Sequence, residues 1–189
     1  MTEDGVDTIQ QAWERERPDV DSRSIAIVTR IWRLAHHLER ARAETLAALG
    51  TDAATLDALA TLRRAGSPYR LTAGEMQQRS LVTAGAISQR LDKLEQAGLI
   101  RRGRDPSDRR VVQVALTAKG RRLVDRVFIA LMEHEQNLLA TLSPGEQAAL
   151  TPILRRWLTS FEGSQASAQS PVPTLQPTPS TGRQSPTRR

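Results

Sequence analysis

TAGAISQRLDKLEQAGLI (83–100) runs directly into RRGRDPSDRRVVQVALT (101–117), a helical period followed by a strand period. Ile87, Leu91, Leu94 and Ala97 or Gly98 recur at three- and four-residue steps, which places them on one buried face of a helix. Thr83 has the hydroxyl of an N-cap, and Gly98 falls where a left-handed C-terminal cap belongs. The opposite face carries Ala84, Gly85, Ser88, Gln89 and Asp92, small or hydrogen-bonding groups that raise no barrier to entering a groove. After Leu99 and Ile100 the period drops to two: Val112, Val114 and Leu116 alternate with Val111, Gln113 and Ala115. Asp105-Pro106-Ser107-Asp108, between the two strands, is turn chemistry, and the loop adds the charges of Asp108, Arg109 and Arg110.

A helix followed at once by a charged hairpin reads as a winged helix-turn-helix. The helix would supply contacts to base edges, and the loop would carry arginine toward the flanking minor groove. Periodicity alone fits an ordinary helix-hairpin unit with a solvated loop equally well; charge separates the two. Residues 1–21 hold seven acids and two arginines, a net −5, whereas residues 70–126 hold thirteen basic residues and six acids, a net +7. A basic block centred on the reading unit is the footprint of a phosphate-backbone partner. An anionic membrane competes for the same charge, but this region lacks the broad apolar face of a surface helix. Double-stranded DNA is the expected partner, and no membrane is.

The flanks read as helices. Ile9 to Trp13 forms a short amphipathic segment that stops before Pro18, because the residue preceding proline is driven out of the α region. A long helix is expected after Asp21 or Ser22, either able to cap it, with Ile25, Val28, Ile31, Trp32, Ala35 and Leu38 as its apolar stripe and Gly50 as its end. The next opens at Thr51 or Asp52 and buries Leu56, Leu59 and Leu62. Tyr69-Arg70-Leu71 is a candidate third strand, and Thr72 with Glu75 has capping-box spacing for a helix ending near Ser80. Thr117 caps a helix to about Thr141. Ser143, Pro144 and Glu146 start the last one, in which Pro152 should impose a kink. The tail from Ser164 holds half of the chain's ten prolines among Ser, Thr and Gln and is expected to be disordered.

The domain reading is therefore an acidic segment with a short extra helix at 1–21, a helical dimerisation lobe from 22–50 and 118–162, a winged helix-turn-helix lobe at 51–117, and a Pro/Ser/Thr-rich tail at 163–189. The fold class is mainly α with a small β-hairpin wing. A homodimer suits it, since two-fold proteins read palindromic half-sites about one helical turn apart.

Composition narrows the alternatives. With no cysteine, disulfides, cysteine-based zinc sites and a thiol sensor are excluded. No apolar run approaches membrane-spanning length, and the acidic N-terminus has no hydrophobic signal core, so a cytoplasmic protein is expected. His36, His37 and His134 are unaccompanied by a phosphate loop or nucleophile elbow, so no enzyme and no cofactor is expected. Adjacent His36 and His37 point apart; a metal shared with His134, and hence a metal-responsive regulator, is one remaining variant, and a DNA-binding protein without a small-molecule ligand is the other.

With these residues in place, the chain resembles the MarR family of bacterial regulators from about Ile9 to Phe161. The runs LDALATL (56–62) and LDKLEQAGLI (91–100) are typical of the family. Asp105-Pro106-Ser107-Asp108-Arg109-Arg110 followed by Leu116-Thr117-Ala118-Lys119-Gly120 is the most specific stretch. The resemblance implies a homodimeric winged-helix repressor or activator released from DNA by a small ligand, with Asp108 and Arg110 reaching or bracing at the minor groove. Thr83, Ala84, Gly85, Ser88, Gln89 and Arg90 are the residues expected in the major groove, and Arg109 and Arg110 in the minor groove. A finer likeness to the urate-responsive subgroup rests on Trp13, Asp57, Arg90 and Arg102. It implies an anionic, planar effector held by the two arginines. The plainer assignments at these positions are a phosphate contact for Arg90, a wing brace for Arg102, a pairing role for Asp57 and a core role for Trp13.

Overall fold

The structure, a computed structural model, describes residues 3–79, 84–104, 108 and 110–168, with the backbone alone at 84–87 and 164–168. Among the described residues, seven helices and three strands follow in the order α1 (Gly5–Glu16), α2 (Ile25–Ala48), α3 (Ala53–Arg64), β1 (Arg70–Thr72), α4 (Ala73–Arg79), α5 (Ala84–Gln96), β2 (Ile100–Arg104), β3 (Val112–Leu116), α6 (Ala118–Leu138) and α7 (Pro144–Ala168). The expected class holds: mainly helical, with a small antiparallel sheet of order β1-β3-β2. β1 is the third strand, pairing Leu71 with Val114, while the wing hairpin pairs Ile100 with Leu116 and Arg104 with Val112.

Helix boundaries follow local capping chemistry. Asp52 accepts from the Thr55 N–H at 2.7 Å to start α3. Thr72 and Glu75 form the reciprocal box of α4, at 2.8 and 3.1 Å. Thr117 accepts from the Gly120 N–H at 3.0 Å to start α6, and Ser143 with Glu146 repeats the box before Pro144. Gly50, Gly66 and Gly98 all take positive φ at helix ends. The expected caps of α2 do not form. Its N-cap is Ser24, without a side-chain bond. The Asp21 carboxylate is instead taken by the Arg23 side chain and backbone N–H. α1 has a reciprocal cap between Asp4 and Asp7 that the sequence reading passed over. Thr83, Ser80 and the Leu81-Val82 break lie outside the described residues, as do Asp105, Pro106, Ser107 and Arg109 and the tail from 169 on.

Residues 1–138 form one compact unit, and 139–189 a second. In the first, one core runs through Leu46 of α2, Leu56, Leu59 and Leu62 of α3, Leu71, Met76, Leu91, Leu94, Ile100, Val114, and Val124, Val127 and Leu131 of α6. Burying each such side chain contributes roughly 1.5–3 kcal/mol, so the wing, α5 and α6 are held as one body across the Thr117–Ala118 junction. The apolar stripe of α2 is half covered: Ile25, Ile31 and Ala35 are partly buried, whereas Val28, Leu38 and Trp32, the last 72% exposed, stand open, as do Ile27 and Leu34 beside the stripe. The second unit contains α7, a continuous helix through Pro152 that reaches Ala168, beyond the expected start of the tail. Its Ile153, Leu158 and Phe161 are exposed as well.

Candidate nucleic-acid interface

α5 is presented from behind. Leu91 and Leu94 are buried in the core, and Gly98, with φ 68°, ends the helix so that the Leu99 N–H bonds back to the Leu94 carbonyl at 2.9 Å. Thr117 donates its hydroxyl to the Gly98 carbonyl at 2.7 Å, and the Lys119 ammonium donates to the Ala97 carbonyl at 2.8 Å. The C-terminal end of α5 is thus clamped to the start of α6. Among the described side chains of α5, Ser88 and Gln89 are exposed and Arg90 is half-exposed. Ala84 and Gly85 form its first turn.

Arg102 ties the wing to α5 on the exposed side of their shared core. Arg102 of β2 places Nη2 2.6 Å from Asp92 Oδ1 and 3.4 Å from the Ser88 carbonyl, and Nε 3.6 Å from Glu95 Oε2. Its backbone N–H donates to Glu95 Oε1 at 2.8 Å. At the wing tip, Asp108 accepts from the Arg110 N–H through its carboxylate at 2.9 Å and from the Val111 N–H through its carbonyl at 2.9 Å. This Asx-type turn fixes the backbone from which the exposed Arg110 projects.

The four positions carrying the urate-type likeness do not share one cavity. Arg90 lines a cleft of about 260 Å³ with Gln89, Lys93 and Leu94 of α5 and Asp52, Ala54 and Thr55 at the start of α3. Lys93 is the member that the sequence reading missed, although its spacing three residues beyond Arg90 on one helix face was a usable signal. Asp52 is committed to capping α3, and among the described residues neither Arg90 nor Lys93 has a carboxylate partner. The cleft is therefore cationic. Trp13 is 54% exposed rather than core and lines a different cavity of about 290 Å³, with Arg17, Val20 and Ile25. Asp57 borders neither cavity, and Arg102 is occupied by the α5 carboxylates. Among the described residues no cluster of His, Cys, Asp or Glu is placed to hold a metal, and no helix is long and apolar enough to cross a membrane.

Comparison with known proteins agrees with this geometry. A profile of the MarR family matches residues 49–111, which span α3 to the wing. The HTH-type transcriptional regulator PecS of Dickeya dadantii (strain 3937) is 34% identical over 151 residues, covering 80% of this chain and 91% of that protein. The HTH-type transcriptional repressor Rv2887 of Mycobacterium tuberculosis is 30% identical, over 61% of this chain and 83% of its own. Among solved structures, wild-type MarR from E. coli superposes with a TM-score of 0.59 at 27% identity, covering 69% of this chain and 96% of that one. A mutant MarR from E. coli complexed with operator DNA gives 0.59 at 25% identity, covering 77% and 97%. A helix backed by a shared core, a wing pinned to it and a relative matched over nine-tenths of its length lead to one conclusion: the chain belongs to the MarR family, whose members are DNA-binding transcriptional regulators rather than enzymes.

Proposed function

We propose that this protein is a homodimeric, effector-responsive repressor that reads a pseudo-palindromic operator with α5 in the major groove and the wing in the minor groove. The observation that carries the reading is the exposure of α5 at Ser88 and Gln89, with Arg90 half-exposed, while Leu91 and Leu94 anchor the helix behind. Gln89 has the amide to pair with an adenine edge, and Arg90 the fork for guanine or phosphate. Thr83, Ala84 and Gly85 at the start of α5 would approach the same groove, and Arg109 and Arg110, with Asp108 bracing, the minor groove. A second copy of the chain would cover the exposed apolar residues of α2, and those of α7 support the same reading.

The effector is a small anion, with urate the first to try, and its seat is the Arg90–Lys93 cleft. A carboxylate or urate anion there would be met by two cations and the Gln89 amide. Because those residues sit on the reading helix, occupancy would compete with DNA for Arg90 and lower operator affinity. Trp13 and Asp57 contribute from outside this cleft, through the docking of α1 and the position of α3. Arg102 keeps the wing in register with α5.

The test is fluorescence anisotropy of a labelled fragment from upstream of the protein's own gene, at fixed salt, followed by urate. Binding that urate reverses in wild type and not in Lys93→Ala supports both levels. Binding that urate and other small carboxylates leave untouched removes the effector reading and keeps the regulator.

A further inference from the structure

We propose that the protein carries a second duplex-binding surface, where the end of α3 and the start of α6 meet around Tyr69, remote from the reading edge of α5. The inference rests on α5 being the seat of the first duplex. Residues 63–70 contain three cations and no acid, and residues 118–126 four cations and one acid, so these two short segments carry a net +6, equal to that of the whole chain. The contact between α3 and α6 brings them together.

The cluster is built around a constrained aromatic ring. Tyr69 has φ 59°, a left-handed conformation uncommon for a residue with a side chain and kept only where the surroundings enforce it. Here its carbonyl accepts from the Leu116 N–H at 3.0 Å, which joins β1 to β3. Its ring lies 4.8 Å from the Arg63 guanidinium and 5.7 Å from that of Arg121, one from each helix. Arg63 is fixed further by Asp125 at 2.7 Å. Arg64, Arg70 and Arg122 are exposed, and among the described residues none has a carboxylate in ion-pair reach. Guanidinium groups held in advance lose little freedom on meeting phosphate, and their planar forks match its oxygens.

The cluster is far from the reading face by two routes. It adjoins the C-terminal end of α5, where Lys119 is bonded to Ala97; Ser88 and Arg90 lie about 13 and 10 Å along the helix from there. It also sits at the far end of α3, whose first turn lines the Arg90 cleft; 12 residues span about 18 Å. A duplex seated on α5 therefore leaves these cations free for another. No exposed large hydrophobic residue lies within either segment, which favours a phosphate backbone over an acyl surface.

The test uses the full chain and two duplexes of unrelated sequence, one immobilised and one labelled. Wild type should bind a single duplex in anisotropy and also retain the labelled duplex on the immobilised one. Arg121→Glu/Arg122→Glu, shown by thermal melting to be folded, should keep single-duplex affinity within about 2-fold and lose at least about 5-fold of the capture. The Arg121→Lys/Arg122→Lys control should restore most of it. Capture by the glutamate variant equal to wild type, single-duplex binding without capture in wild type, or equal loss of both in the variant would each overturn the inference. Wild type that binds no duplex at all would overturn the function proposed above along with it.

Discussion

Arg102 on the first wing strand and Asp92 on α5 are joined by a 2.6 Å ion pair, so the two parts of the molecule that would approach adjacent grooves are coupled through one side chain. The pair is half in solvent, which limits its strength to about 1 kcal/mol. Its value lies in geometry: pairing with β1 and the burial of Ile100 and Val114 hold the base of the hairpin, and Arg102 sets its face against α5.

Removing the brace should therefore weaken operator binding more than it weakens the fold. Arg102→Gln and Asp92→Asn are each expected to lower operator affinity about 5-fold, with the double variant no worse than either single one. A double-variant cycle in anisotropy reads this directly. Additive losses would mean that the two residues act separately.

Of the described glycines, Gly120 has the tightest surroundings. A Cβ there would fall inside contact distance of the Leu99 carbonyl oxygen, which is backbone and cannot turn aside. Gly120→Ala should separate α6 from the end of α5 and cost on the order of 2–3 kcal/mol, read as a lowered urea midpoint with an unchanged slope. A midpoint within experimental error of wild type would show that α6 packs less closely.

The two kinds of DNA contact should separate by their salt dependence. Gln89→Ala is expected to cost about 1–3 kcal/mol and relax preference at one base pair, leaving the salt slope intact. Arg110→Ala should weaken all sequences alike and reduce the slope by about 1. Exchanged behaviour between the two variants would reverse the groove assignments.

The N-terminal helix is clasped by charge. Arg30 donates to Asp4 at 2.9 Å and to Asp7 at 2.6 Å, and these hydrogen bonds lower both carboxyl pKa values, that of Asp4 from 3.8 to about 2. A carboxylate with a depressed folded-state pKa stabilises above its unfolded value and loses that contribution as pH falls through the folded one. The melting-temperature gap between wild type and Arg30→Met should thus be constant from pH 8 to about 5 and close below about pH 4. A gap that instead changes between pH 6 and 8 would place its origin in another group.

What the sequence made legible was local. Caps at Asp52, Thr72, Thr117 and Ser143 bond three residues ahead, and the alternation around Val114 encodes its own burial, so each could be read from a short window. The misread caps of α2 fail for the same reason: Arg23, two residues on, claims Asp21 before the helix can. Contacts between elements were less accessible. The Arg102 brace crosses a turn, and it appeared in the sequence only as one of two roles for that residue. Trp13, Asp57, Arg90 and Arg102 were grouped by resemblance, yet α1 docks on α2 through Arg30 and carries Trp13 to a cavity that shares no wall with that of Arg90. The α2 stripe at Trp32 was visible as apolar, but periodicity states only that a face is to be covered. It does not state by what.

The central claim, that α5 and the wing read DNA sequence as a two-fold unit, is tested most directly by selection from a library of randomised duplexes. An inverted repeat whose half-site centres lie about 10–10.5 bp apart, or a multiple of it, should be enriched, with enrichment lost in Gln89→Ala/Arg90→Ala. Recovery of no sequence above the starting pool, with duplex binding that is equally tight for every member, would contradict it.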